Sequence, residues 1–287
     1  DFNPDRNYYK PIDKKTNLVK RCVAIAGDTL EIRDGYVYIN GIQNTLPYRA
    51  KLQFSYEVTL KPGKTFERSI IEQLKTRYDI TDGIYAMGNK IIIPAASDEA
   101  VKVFKNHPSV ATIDRFIEPK GQRDPLEFPH DPSYDWNRDF FGPLYIPEKG
   151  KTMALDLKNL PVYKRLITEY EGNRLYTKGN QIFINGQLSD SYTFKQNYYW
   201  MMGDNRHNSI DARRWGFVPF NHVVGKPVFI WMSWNTNGKG FNKIRWDRVF
   251  TTVHPDGERT SYFIPFLVLL AVWIGYNKWR KRKNTTV

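Results

Sequence analysis

Two stretches far apart in the chain share one pattern, and that pattern constrains the fold more than any other feature. Gly27-Asp28-Thr29-Leu30-Glu31-Ile32 leads through a turn to Tyr36-Val37-Tyr38-Ile39-Asn40-Gly41. Asn173-Arg174-Leu175-Tyr176 leads in the same way to Gln181-Ile182-Phe183-Ile184-Asn185-Gly186. Each reads as a strand, a turn and an alternating strand stopped by Asn-Gly, which is a hairpin element. Two copies predict related β-hairpins in one core; a solenoid would need more repeats. At 287 residues the chain is long enough for one large or two medium domains. Its aromatic content of 15% suits a folded, tyrosine-rich β protein.

The densest polar segment is Met202-Gly203-Asp204-Asn205-Arg206-His207-Asn208-Ser209-Ile210-Asp211-Ala212-Arg213. It follows the apolar run Tyr198-Tyr199-Trp200-Met201 and precedes Trp215-Gly216-Phe217-Val218-Pro219. That order predicts a hydrogen-bonding loop between two buried segments, the setting in which sites are usually built. On its own it also reads as an ordinary turn in which Asp204, Asn205, Asn208 and Ser209 satisfy local backbone groups.

A second segment, Leu18-Val19-Lys20-Arg21-Cys22-Val23-Ala24-Ile25-Ala26-Gly27-Asp28, bears on that choice. Residues 18–25 read as a short strand stopped by Gly27-Asp28. Alternation puts Leu18, Lys20, Cys22 and Ala24 on one face and Val19, Arg21, Val23 and Ile25 on the other. If the lysine face is covered, burial penalises the ammonium and yields a neutral amine able to act as a general base. A lysine reaching to solvent from an edge strand is the plainer alternative.

Together the two segments resemble bacterial type I signal peptidases, the Ser/Lys endopeptidases that remove secretory signal peptides. The resemblance rests on Lys20, Arg21, Gly27 and Asp28. It rests equally on Gly203-Asp204-Asn205-Arg206, Asn208-Ser209, Asp211, Arg213, Trp215-Gly216-Phe217-Val218-Pro219 and Val224-Gly225. So long a string is specific, unlike a lone short motif. It covers about 17–48 and 140–250, and Phe141-Gly142-Pro143-Leu144 and Pro147 resemble the Bacteroidetes group in particular.

The resemblance implies that Lys20 is the general base, taking a proton from a serine nucleophile and then activating the hydrolytic water. It implies that Ser209 orients the Lys20 amine, and that Asp211 with Arg21 and Arg213 forms an ionic scaffold. A purely structural ion-pair cluster is compatible with that role. Gly203 matches the position that leaves room for the lysine, and Leu18 and Val19 match positions lining shallow pockets for small residues before the cut. The family's nucleophile lies in a Ser-x-Ser-Met-x-Pro-type motif well before the Lys-Arg pair. Only nineteen residues precede Lys20, and none is serine. The expectation is therefore that the sequence lacks its N-terminal part, that the oxyanion hole is missing with it, and that this chain alone is inactive. Ala212-Arg213-Arg214 stands where the family has Ser-Arg and an aromatic, but the Asp-x-Arg spacing is kept.

The chain carries 43 basic and 30 acidic residues, a formal charge of +13, suited to nucleic acid or to anionic lipid. No nucleic-acid motif accompanies it, so lipid headgroups are the expected partner. The single Cys22 excludes an intramolecular disulfide. Histidines 107, 130, 207, 222 and 254 have no metal-ligand spacing, so no metal or other cofactor is expected. The uncharged run Tyr262–Tyr276, followed by Lys278-Trp279-Arg280-Lys281-Arg282-Lys283, predicts a C-terminal transmembrane segment over 261–279 with a basic tail at 280–287. A buried or interfacial helix is the alternative. By the positive-inside rule the C-terminus is then cytoplasmic, and the body lies on the extracytoplasmic side of the bacterial inner membrane.

Residues 51–120 read as strand 53–60, helix 65–77, strands 83–87 and 90–94, helix 97–106 and strand 110–117. That β-α-β-β-α-β order suggests an inserted ferredoxin-like module, either positioning protein substrates or serving packing alone. Residues 120–140 read as a loop returning to the core. Lys164, in a setting superficially like that of Lys20, is expected to be solvated.

The fold class expected is thus mainly β: a signal-peptidase-like body in two parts (1–50 and 121–255), an α/β insertion (51–120) and a C-terminal membrane helix. The function expected is membrane-bound removal of signal peptides from secretory preproteins, with secretion machinery as a further possible partner. A non-catalytic membrane-anchored β protein that binds peptides or lipid is the first rival. A self-cleaving repressor-type Ser/Lys protease is the second, disfavoured by the Gly203–Arg213 box.

Overall fold

The two Asn-Gly segments fold into the same three-stranded meander. In the computed structural model, which describes residues 16–78, 80–253 and 259–284, strands Thr29–Arg33, Tyr36–Ile39 and Ile42–Gln43 form one copy. Strands Leu175–Lys178, Gln181–Ile184 and Gln187–Leu188 form the other. Asn-Gly does not end either sheet, as the sequence suggested, but turns it into a second hairpin. Asn40 and Gly41 have φ of 53° and 82°, and Asn185 and Gly186 have 52° and 85°. Those left-handed values are why Asn and Gly stand there. In both copies the Asn carboxamide oxygen accepts a hydrogen bond from the start of the first strand: Thr29 N at 2.9 Å and Arg174 N at 3.0 Å. His254 and the end of the expected basic tail, 285–287, lie outside the described residues.

The chain divides into two compact units, each continuous only in space. The first comprises 1–43, 118–203 and 209–224. It holds both meanders, the first extended by strand Phe141–Tyr145 against Thr29–Arg33. It also holds a three-stranded sheet in which strand Tyr198–Met202 lies between Arg21–Ala24 and Val218–Pro219. Tyr198, Trp200 and Met202 alternate inward and are fully buried. Trp200 packs edge-on to Phe128 and Phe217 at 5.8 and 5.3 Å between ring centroids, and tilted on Phe141 at 5.4 Å. Each ring buried in this way stabilises the unit by about 2 kcal/mol or more. Lys164, in the helix Leu160–Arg165, is exposed as expected.

The second unit comprises 44–117, 204–208 and 225–287. Its sheet has the strands in the order Tyr85–Met87, Lys90–Ala96, Phe54–Leu60, Val110–Arg115, all antiparallel. Helices Arg68–Tyr78 and Asp98–Lys105 connect them. Ser97 caps the second helix by accepting from Ala100 N, with Asp98 and Glu99 in its first turn. Val58, Ile91, Ile93, Ala100 and Phe104 form its buried face.

One expectation is corrected here. The segment 261–279 is helical, as part of the 22-residue helix Phe263–Asn284. Yet among the described residues no helix is long and apolar enough to cross a membrane. The physical reason is length: the uncharged run of fifteen residues, Tyr262–Tyr276, reaches about 22 Å against a hydrocarbon core of about 30 Å. Beyond it the helix continues through Lys278, Arg280, Lys281, Arg282 and Lys283. The orientation inferred from the basic tail has no spanning helix among the described residues to support it.

Candidate active site

The pairing of Arg21–Ala24 with Tyr198–Met202 is what brings the lysine segment to the polar box. Arg21 stands opposite Met202 in the antiparallel register, so the residues flanking that pair, Lys20 and Gly203, meet at the end of the ladder. The strand is shorter than the 18–25 expected, because residues 16–20 lie outside regular structure. Its alternation also fails. A register shift between Cys22 and Ala24 turns both Val23 and Ala24 into the core, as a bulge does by adding one residue to one side of a ladder. Leu18 and Val19 are therefore not on a covered strand face; they are 63% and 80% exposed just ahead of the lysine.

Lys20 is half-buried, and its Nζ donates a hydrogen bond to Ser209 Oγ at 2.8 Å. In this contact Ser209 occupies the space that a side chain on residue 203 would take. A Cβ built on Gly203 would lie 2.2 Å from Ser209 Oγ, 2.7 Å from Ser209 Cβ and 3.6 Å from Lys20 Nζ.

Beneath this contact lies a buried ion pair. Gly203 N donates to Asp211 Oδ2 at 3.0 Å. Arg213 grips both oxygens of the same carboxylate, Nε to Oδ1 at 2.9 Å and Nη2 to Oδ2 at 2.8 Å. Asp211 is 0% and Arg213 2% exposed. Asp211 also caps the short helix Ala212–Trp215, accepting from Arg213 N. Burial alone would raise the Asp211 carboxyl, but the hydrogen bonds and charge of Arg213 and the Gly203 N–H hold it below the ordinary range. Burial would likewise lower the Arg213 guanidinium, and Asp211 more than reverses that. The Asp-x-Arg spacing thus gives a bidentate pair from two neighbouring backbone positions, the geometry in which arginine binds carboxylate best.

The middle of the box belongs to the second unit. Gln53 N donates to Asp204 O at 2.9 Å, Arg206 N to Gln53 O at 2.8 Å, and Ser55 N to His207 Nδ1 at 2.9 Å. Asn205 Nδ2 donates to Asp82 Oδ2 at 2.6 Å. Of the local turn bonds expected from the sequence, Asn208 N to Asn205 Oδ1 is present at 3.2 Å. Sequence reasoning missed Gln53, Ser55 and Asp82, since nothing local in residues 53–82 points to a segment so distant. It also missed Phe128 and Arg138, whose backbone N and O bond Arg213 O and Nη1 at 2.6 and 3.4 Å.

Comparison with known proteins identifies the family. A family model described as "Signal peptidase, peptidase S26" matches residues 2–90 and 151–234, which include Lys20 and the whole box. The matched part runs through residue 90, well into the segment 51–120 set apart on sequence grounds, and omits 91–150. Proteins named "Signal peptidase I" are similar in sequence. That of Buchnera aphidicola subsp. Schizaphis graminum is 34% identical over 108 residues, 33% of each chain. That of Haemophilus influenzae is 31% identical over 118 residues, 41% of this chain and 30% of its own. A Helicobacter pylori protein is 24% identical over 229 residues, 70% of this chain and 77% of its own. This chain thus spans a third or less of the length of the Buchnera and Haemophilus relatives. No solved structure matches significantly. With a matched region covering more than half of its length, the chain belongs to the signal peptidase family, the S26 peptidases.

Proposed function

We propose that the chain carries the general-base half of a Ser/Lys endopeptidase site that removes N-terminal signal peptides from exported preproteins. The observation that supports this best is the 2.8 Å hydrogen bond between Lys20 Nζ and Ser209 Oγ, seated over the side-chain-free Gly203. In this reading one N–H of the lysine is committed to Ser209. That bond fixes the rotation of the amine and aims its lone pair at the nucleophile. Lys20 takes the proton of a serine hydroxyl as that oxygen attacks the scissile carbonyl, and passes it to the leaving amine. It then takes a proton from water to release the acyl group.

Asp211 and Arg213 act at one remove. Their mutual neutralisation keeps net charge out of the buried region below Gly203, and the Asp211 carboxylate fixes the Gly203 N–H. Arg21 opens the same ladder opposite Met202. Leu18 and Val19 are exposed next to the base, where a substrate backbone with small side chains before the cut would lie. The nucleophile is a serine of the family's Ser-Met motif, and the substrates are secretory preproteins. Lipid is a further partner in this reading, favoured by the basic residues that end the helix Phe263–Asn284.

The test is peptide cleavage by a protein that includes the Ser-Met segment. Lys20→Ala is expected to abolish turnover, and retained turnover rules out the assigned base. Ser209→Ala is expected to lower kcat while leaving some activity. If it removes all activity, and a covalent serine probe labels Ser209 in the parent, Ser209 is the nucleophile and not the orienting residue.

A further inference from the structure

Residues 124–138 lie in the stretch that the family model leaves unmatched. Their contacts converge on one place, the turn that carries Asp211 and Arg213. Phe128 N donates to Arg213 O at 2.6 Å, and His130 Nε2 bonds Arg214 O at 2.8 Å. Arg138 O accepts from Arg213 Nη1, while the Arg138 guanidinium is itself held by Glu118 at 2.9 Å and Asp124 at 3.7 Å. The Phe128 ring fills the space beside Gly216, where a Cβ would come within 2.7 Å of it. At the centre is Glu127, 5% exposed, whose Oε1 pairs with Arg214 Nε at 3.1 Å. Its Oε2 is buried with no hydrogen-bond partner among the described residues.

We propose that this segment is a brace that positions the Lys20–Ser209 pair, and that Glu127 is its positioning residue, acting through Arg214 and Arg213. The inference rests on the assignment of Lys20 as base. An ion pair joins Glu127 to Arg214, the chain joins Arg214 to Arg213, and hydrogen bonds lead from Arg213 through Asp211 to the Gly203 amide. Glu127 holds Arg214, and Phe128 and Arg138 hold Arg213. Arg213 holds Asp211, Asp211 holds the Gly203 amide, and Gly203 is the floor on which Ser209 meets Lys20. A loop that served only to return the chain would have no reason to bury a carboxylate. Burial works against that charge and pushes the Glu127 carboxyl up to about 7, with Arg213, Arg214 and Arg138 lowering it and Asp124 raising it. A carboxyl buried at such a cost is explained by the position it enforces.

Two variants break the same contact from opposite sides: Glu127→Gln, which keeps the side-chain shape, and Arg214→Ala. Each is measured for peptide cleavage in the protein with the Ser-Met segment, and for hydrogen exchange of the Gly203 amide in the present chain. A charge-assisted hydrogen bond of this kind corresponds to about tenfold in a local equilibrium. Both variants are therefore expected to lower kcat about tenfold at unchanged KM and to speed Gly203 exchange about tenfold, while exchange of Leu30 and Ile32 in the core strand does not speed up. Faster Gly203 exchange with unchanged kcat supports the brace and counts against Lys20 as base. Gly203 exchange that is unaltered, or that moves only in step with Leu30 and Ile32, overturns the proposal.

Discussion

Replacing Gly203 with alanine tests the geometry at the centre of the site. The added methyl would sit 2.2 Å from Ser209 Oγ, where ordinary contact begins at 3.4 Å. Ser209 must therefore retreat by about 1.2 Å; because the Cβ would lie 3.6 Å from Lys20 Nζ, that retreat runs nearly across the 2.8 Å bond, skewing it while lengthening it only to about 3.0 Å. Overpacking of this kind in a rigid setting costs about 1–3 kcal/mol. The same retreat turns the partner that orients the amine without removing it, so cleavage is expected to fall, but less far than in Ser209→Ala. Urea midpoints at constant m-value measure the stability loss. A double-mutant cycle with Ser209→Gly isolates its origin, because Ser209→Gly deletes both clashing atoms. The Gly203→Ala penalty should shrink by about 1 kcal/mol or more in that background, whereas sites that do not interact add within about 0.5 kcal/mol. Cleavage should stay low in the double variant, since the orienting hydroxyl is gone. An equal penalty in both backgrounds would refute the steric argument and with it the reason for glycine at this position.

Other consequences follow from the charges below Gly203. Asp211→Asn leaves Arg213 buried without its counter-charge and is expected to cost about 3–5 kcal/mol, read from urea unfolding at neutral pH. Because the folded-state Asp211 carboxyl is depressed, its stabilisation is present above the ordinary carboxylate range and is lost as pH falls through and below about 4. Asp211→Asn should remove that part of the acid transition, and an unchanged profile would contradict the pairing. Glu127 has the opposite sign: its carboxyl rises from 4.5 to about 7, so the folded state holds the proton more tightly and stability falls as pH rises across that interval. The difference amounts to about 3 kcal/mol. Glu127→Gln should therefore gain stability relative to the parent between about pH 4.5 and pH 7, even as it loosens Gly203. A parallel loss of both would mark Glu127 as purely structural.

How far the chain could be read in advance depended on how local each signal was. The meanders were legible because alternating apolar residues and an Asn-Gly pair encode strand and turn within a dozen residues, and both copies use the same carboxamide-to-strand bond. Helix Asp98–Lys105 was legible from its Ser97 cap and acidic first turn. The lysine strand was overextended because residues 16–20 lie outside regular structure, and its alternation failed because a bulge is set by its partner and not by the bulged sequence. The C-terminal segment was correctly helical, but its membrane span was not, because its charged residues continue the helix instead of flanking it. Glu127 looked like part of a connecting loop, and nothing in Leu126-Glu127-Phe128 announces burial.

By itself the sequence determined the residue types the site needs: a lysine ahead of a short apolar strand, a glycine ending another, and an Asp-x-Arg pair spaced to grip one carboxylate. Those depend on chemistry and on neighbours along the chain. Which groups meet was decided only by the tertiary structure. Lys20 and Ser209 are 189 residues apart, and their 2.8 Å contact exists because Arg21 pairs with Met202 and not with a residue one place along. A slip of one residue would turn the strand's side chains to the other face. The same holds for Glu127, whose burial is imposed by the Arg213–Arg214 turn and by the aromatic core around Phe128.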